Sequence, residues 1–259
     1  MEWSSVKGLS EKALALHNPV RSLSPRERER HQRTISVIGE EGQARLLAAR
    51  VLVVGAGGLA SPVLSYLAGM GVGHIGLCDA DVVETGNLPR QIIHNEAALG
   101  MPKTSSARRS IEALNSDVDV AEYGWAMPNL LDQVAGSYDI VLDCSDTFES
   151  KYTVADWCAG SGHPLVWAVV AATTWQVSTF WSTSPNKPTT LRDLHAAPPP
   201  PGAVPTPAAM GVVGPAVGVC GSLMAGEAMK LLTGCGSPLI GRVAVGDVKF
   251  SDFKVWRFL

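Results

Sequence analysis

The residues with the clearest chemical potential form a glycine-rich turn, Gly55-Ala56-Gly57-Gly58-Leu59-Ala60, that follows directly on a short apolar run, Arg50-Val51-Leu52-Val53-Val54. Gly55-x-Gly57-x-x-Ala60 fits the dinucleotide-binding fingerprint, with Ala in the tolerated last place. Glycines let the backbone approach a phosphate, and the helix start that follows offers unsatisfied N–H groups and a positive dipole end. The next apolar run, Gly73 to Cys78, closes on Asp79, where a carboxylate can bond a ribose hydroxyl. The turn alone fits NAD and ATP equally. A tight turn without a ligand is the bland reading, and the strand before it and the acid after it weigh against that.

Further along come Asp79-Ala80-Asp81, Asn87-Leu88-Pro89-Arg90-Gln91, Gly100-Met101-Pro102-Lys103 and Asp143-Cys144-Ser145-Asp146. Taken singly, Arg90 and Lys103 read as surface charges, and Asp146 as a turn residue ahead of a helix. Taken in this order, they resemble the MoeB/ThiF group of the ubiquitin-activating enzyme superfamily. Ile38-Gly39-Glu40-Glu41-Gly42-Gln43, Pro198 to Val204, Gly221 to Lys230 and Pro238-Leu239-Ile240-Gly241-Arg242 extend the likeness from about residue 25 to the C-terminus.

The resemblance implies an adenylyltransferase in which a carboxylate attacks the α-phosphate of ATP and expels pyrophosphate. Negative charge grows on the transferring group, so cations must converge there. Arg90 and Lys103 would supply fixed charge, with Asp146 holding Mg²⁺. Gly55, Gly57, Gly58, Asp79, Asp81, Asn87 and Gln91 would bind the nucleotide. An arginine from the second subunit of a homodimer is also implied, with Arg30 and Arg33 as candidates. The usual substrate is the Gly-Gly tail of a small ubiquitin-like sulfur-carrier protein. A small-molecule carboxylic acid, or a degenerate homologue without activity, are the alternatives. An NAD-dependent oxidoreductase would leave Arg90, Lys103 and Asp146 without a role.

The chain also departs from the family pattern. Thr190-Leu191-Arg192-Asp193 stands where many relatives carry the first zinc-binding Cys-x-x-Cys, and no second pair follows, so no zinc is expected. Pro207 occupies the place of the crossover-loop cysteine, which removes a covalent thioester or persulfide step there. Thr147 replaces an Asn, and Lys151 replaces an Arg, keeping the charge but losing the planar fork.

The elements that must position these residues alternate. Arg50–Val54, Gly73–Asp79, 118–123, 139–144, 165–170 and 176–181 read as strands. Helices are expected to about Met70, over 103–115, over 152–159 and over 221–232. Residues 182–209, with Pro198-Pro199-Pro200-Pro201, read as a stiff extended connector. A closing strand pair is expected at 241–247 and 253–258. The predicted fold is α/β: a Rossmann-like, doubly wound, mostly parallel sheet continuing into antiparallel strands, with a Pro-rich crossover loop. Residues 1–24 read as an N-terminal extension, and 25–259 as one ATP-binding adenylation domain.

The 259 residues carry a net charge of −3 and 46% hydrophobic side chains, so a large core is affordable and nothing marks a nucleic-acid binder. The five cysteines have no framework spacing, which fits a reducing, cytoplasmic setting. No signal peptide and no membrane span is read in the chain.

Overall fold

The computed structural model describes residues 21–125, 128–200, 202–203 and 210–259. The N-terminal extension is thus described only from Arg21, and Pro207 lies outside the described residues, as do most residues of the crossover segment around it. Helix α1 (Pro25–Arg30) starts as its sequence demands: Ser24 accepts from the Glu27 N–H, the Glu27 carboxylate accepts from the Ser24 N–H, and Pro25 opens the first turn. Helix α2 (Gln32–Ala48) bends at Gly39.

From there strands and helices alternate: β1 (Arg50–Val54), α3 (Ala60–Met70), β2 (His74–Cys78), α4 (Lys103–Leu114), β3 (Asp119–Tyr123), α5 (Pro128–Val134), β4 (Ile140–Asp143), α6 (Phe148–Ser161) and β5 (Leu165–Ala171). The chain then runs through β6 (Thr174–Phe180), α7 (Leu191–Leu194), α8 (Gly214–Thr233), β7 (Arg242–Asp247) and β8 (Asp252–Arg257). The eight strands make one sheet in the order β3-β2-β1-β4-β5-β6-β7-β8. Neighbours from β3 to β5 are parallel, and those from β5 to β8 are antiparallel. Side chains alternate across the sheet: Val51 and Val53 join the core under α3, α4 and α8, while Leu52 and Val54 join the core under α5 and α6. Strand order reverses between β1 and β4, and in such sheets the crevice beyond the strand ends at that point is where ligands bind.

Four elements differ from the sequence reading, and one of them, helix α5, has no counterpart in it. Helix α8 begins at Gly214 rather than Gly221, because Pro215 sits in its first turn and packing overrides the poor propensity of its glycines. Helix α6 begins at Phe148 rather than 152, capped by Thr147, whose Oγ1 accepts from the Ser150 N–H at 3.1 Å. The 182–209 connector is not extended throughout: a Thr190/Asp193 capping box starts α7, and buried Leu191 anchors it.

Gly221 lies where α8 crosses the start of α3. A Cβ there would lie 2.4 Å from the Leu59 carbonyl oxygen, at the start of α3. We expect Gly221→Ala to destabilise the protein by about 1–3 kcal/mol through overpacking. A thermal scan checks this, and an unchanged Tm would show that the two helices separate without cost.

Candidate active site

A cavity of about 500 Å³ lies at the C-terminal ends of β1, β2 and β4, on the switch point. Gly55, Gly57 and Gly58 line it, together with Asp79, Asp81, Arg90, Gln91, Lys103 and Asp146. Gly55 has φ of 92°, and a Cβ on it would fall 2.8 Å from the Cys144 carbonyl oxygen, so no other residue type fits the turn. The turn is clamped from two sides. The Ala56 N–H donates to Asp79 Oδ2 at 2.7 Å, and the Ala56 carbonyl accepts from His94 Nε2 at 2.8 Å. Asp79 Oδ1 takes the Asp81 N–H at 2.8 Å, so Asp79 shapes the turn as well as lining the cavity.

His94 was not legible as a site-supporting residue; its role comes from tertiary placement alone. With Nε2 donating to Ala56, Nδ1 accepts from Ser106 Oγ at 2.8 Å. Burial pushes its imidazole below the usual histidine pKa. A folded-state pKa below the unfolded value means that this stability is complete above about pH 6.5 and is lost as pH falls below it. The drop in Tm between pH 7 and pH 5 is therefore expected to be smaller in His94→Gln than in the wild type. Equal drops would remove His94 from the account.

The cations are held differently from one another. Lys103 is buried, and its Nζ donates to Asp81 Oδ2 at 2.7 Å. Arg90 Nη1 donates to the Gly86 carbonyl at 2.9 Å. Gln91 is buried with its Oε1 lacking a partner, an acceptor left unpaired on the cavity wall. Asp146 is exposed, and it is the one carboxylate on this wall without a hydrogen bond or ion pair among the described residues.

Asn87 does not border the cavity. Its Oδ1 accepts from the Glu84 N–H at 3.1 Å and closes its own turn. Arg30 donates to the Leu114 carbonyl at 2.7 Å and Arg33 is exposed; neither borders the cavity of its own chain.

Lys151, read from sequence only as a departure, proves central to the geometry. It is buried, and its Nζ donates to the fully buried Asp143 Oδ2 at 3.3 Å. Ser145 satisfies the other oxygen of Asp143 through its N–H and its hydroxyl. Lys151 and Asp146 line both this cavity and a second one of about 390 Å³, between α6, β5 and β6.

Cys78, Cys144, Cys158 and Cys220 are buried, and burial raises every one of their thiol pKa values, that of Cys78 to about 12. Cys235 is partly exposed and borders neither cavity. At Thr190–Asp193 a capping box stands, with Arg192 paired to Asp156 at 2.7 Å. Among the described residues no cluster of three or more His, Cys, Asp or Glu could hold a metal, and no helix is long and apolar enough to cross a membrane. Treatment with a chelator is accordingly expected to leave Tm unchanged; a fall on metal removal would reveal a structural metal.

The sequence model of the ThiF family matches residues 29–258. The chain is 44% identical over 244 residues to a protein of Mycobacterium tuberculosis named probable adenylyltransferase/sulfurtransferase MoeZ, covering 92% of this chain and 62% of that one. It thus spans less than two thirds of that relative. It is 40% identical over 237 residues to the sulfur carrier protein adenylyltransferase of Thermus thermophilus, covering 88% and 85% of the two chains. The fold is shared with the Escherichia coli protein MccB, at a TM-score of 0.77 and 20% identity, over 91% of this chain and 72% of that one.

Proposed function

The chain belongs to the ThiF family, and from that premise we propose that it adenylates a carboxylate with ATP, namely the Gly-Gly C-terminus of a small ubiquitin-like sulfur-carrier protein. The observation that carries the proposal is the switch-point cavity, whose wall combines a glycine turn, an unpaired acceptor on Gln91 and the side chains of Arg90 and Lys103. Relatives at 40–44% identity are named adenylyltransferases, and the Thermus protein is named for a sulfur carrier.

In this reading the turn and the first N–H groups of α3 receive phosphate oxygens. Asp79 and Gln91 meet the nucleoside, and Trp125, on the same wall, offers a face for the base to stack on. Asn87 acts indirectly, by shaping the turn that presents Arg90. The carboxylate oxygen bonds to the α-phosphorus, and the bond to the bridging oxygen breaks. Pyrophosphate leaves with that electron pair, and no proton needs to move.

Asp79, Asp81 and Asp146 face Arg90, Lys103 and Lys151 around this cavity, and Lys151 is already paired with the buried Asp143, so a triphosphate brings charge that this chain's cations do not neutralise. That balance supports Mg²⁺ at Asp146, whose carboxylate is uncommitted, and an arginine, Arg30 or Arg33, from the second subunit of a homodimer. When bound, Mg²⁺ would neutralise phosphate charge and orient the oxygens. The free thiols fit a reducing, cytoplasmic setting, and the burial that raises the Cys78, Cys144, Cys158 and Cys220 thiols fits a product released as the adenylate.

ATP–pyrophosphate exchange tests this reading, with Gly-Gly-ending carrier proteins and small carboxylic acids supplied in turn. Carboxylate-dependent exchange is expected. ATP binding without exchange for any carboxylate would overturn the catalytic proposal and favour a degenerate homologue.

A further inference from the structure

The second cavity is wider and more apolar than a diglycine tail requires. Trp167, Val169 and Ala171 alternate onto one face of β5, and Phe148 and Tyr152 of α6 close over them. Trp167 is fixed in place: its ring centre lies 6.1 Å from that of Phe180 and 5.6 Å from that of His195, with Lys151 Nζ 5.8 Å away. Its indole N–H is buried without a partner. The Trp167 wall is therefore preorganised, and little ordering of it would be lost on filling the cavity.

The cavity adjoins the nucleotide cavity along Asp146, Lys151, Val169 and Val170, which border both. A ligand seated here would present its end to the nucleotide across the border that Asp146 and the Asp143-paired Lys151 share. Two terminal glycines extend about 7 Å and carry no side chain. They would thread past this aromatic wall and leave much of the cavity's volume of about 390 Å³ unfilled by substrate, where water finds few polar partners.

We infer that the carboxylate delivered to ATP is attached, within about three residues or 10 Å, to a bulky apolar group that fills this cavity. The inference rests on the adenylation reading and names its substrate class. The group is either a branched or aromatic side chain just before terminal glycines, or the ring of a free carboxylic acid.

Binding is measured by intrinsic tryptophan fluorescence on the full chain, with phenylpropionate against propionate, and with short peptides ending Phe-Gly-Gly against Ala-Gly-Gly. The filling variant is Ala171→Trp, a partly exposed position that borders only the second cavity. Thr174→Trp, at the exposed edge of the same cavity, replaces it if that variant does not fold. Burying a ring should tighten at least one pair by about tenfold or more. The filled variant should erase that preference while calorimetry shows ATP binding unchanged. Preference in the acids alone identifies a free acid, and preference in the peptides identifies a tail. No preference in the wild type, or one that survives filling, overturns the inference. Preference retained in a protein that supports no exchange would sink the adenylation reading and leave the apolar subsite standing.

Discussion

Asp146→Ala is expected to lower carboxylate-dependent ATP–pyrophosphate exchange by about 10²–10³-fold, the range found when one preorganised charge-stabilising group is removed from a transition state. The side chain is exposed and makes no hydrogen bond or ion pair among the described residues, so the fold does not depend on it. Its stability change should stay within about 0.5 kcal/mol, as for other surface substitutions. The two expectations together are informative. Asp79 and Asp81 also line the cavity, but both carry internal hydrogen bonds, and changing either would disturb the Gly55–Gly58 turn or the Lys103 ammonium. Asp146 is the carboxylate that can be removed without that confusion. Exchange at the wild-type rate would remove it from the chemistry and, with it, the proposed Mg²⁺ site.

Lys151→Ala is expected to have the opposite profile: a stability loss of about 3–5 kcal/mol, the usual cost of leaving one member of a buried ion pair uncompensated. Asp143 is completely buried at the end of β4. Ser145 satisfies one of its oxygens, and the charge depends on Lys151 Nζ. Urea titration of the single variant should show the full loss. The double variant Lys151→Met with Asp143→Asn should recover much of it, because neither residue then carries a buried charge. A single variant as stable as the wild type would mean that Asp143 is solvated or neutral, and that Lys151 is free to serve ligands instead.

Much of this arrangement could be read in the chain before its fold was known, and the reasons are local. The Val51–Val54 run, the glycine turn and Asp79 form a strand–turn–helix–strand unit whose meaning lies in backbone geometry: Gly55 must adopt a positive φ against the Cys144 carbonyl. Ser24-Pro25-x-Glu27 specifies a helix start within four residues. What escaped the sequence depends on distant packing. The first turns of α8 were obscured by Gly214 and Gly218, residues that disfavour helix; Gly214 sits against the Pro89 carbonyl and Gly221 against the start of α3, contacts that only the fold creates. His94 matters because Ala56 and Ser106 come to its two ring nitrogens from elsewhere in the chain. The aromatic cavity joins Trp167 and Ala171 of β5 to Phe148 and Tyr152 of α6, and no spacing along one element foretells that meeting. Asn87 illustrates the converse: a motif position points to the nucleotide, yet the side chain closes the turn that carries Arg90.

The departures at Thr147 and Lys151 also gain a physical account. Thr147 caps α6 through its hydroxyl, a task an asparagine could equally perform, so the exchange preserves the helix start next to Asp146. Lys151 places a single ammonium between Asp143 and the Trp167 ring, where a broader planar guanidinium would need more room.

The site of ATP cleavage tests the central claim most directly. ATP labelled at the α-phosphate, incubated with the protein, Mg²⁺ and a Gly-Gly-ending carrier, should transfer its label to the carrier as an acyl-adenylate, with an equal amount of pyrophosphate released. Cleavage to ADP and phosphate, with no label on the carboxylate, would contradict the account, because the nucleophile would then have attacked the γ-phosphate.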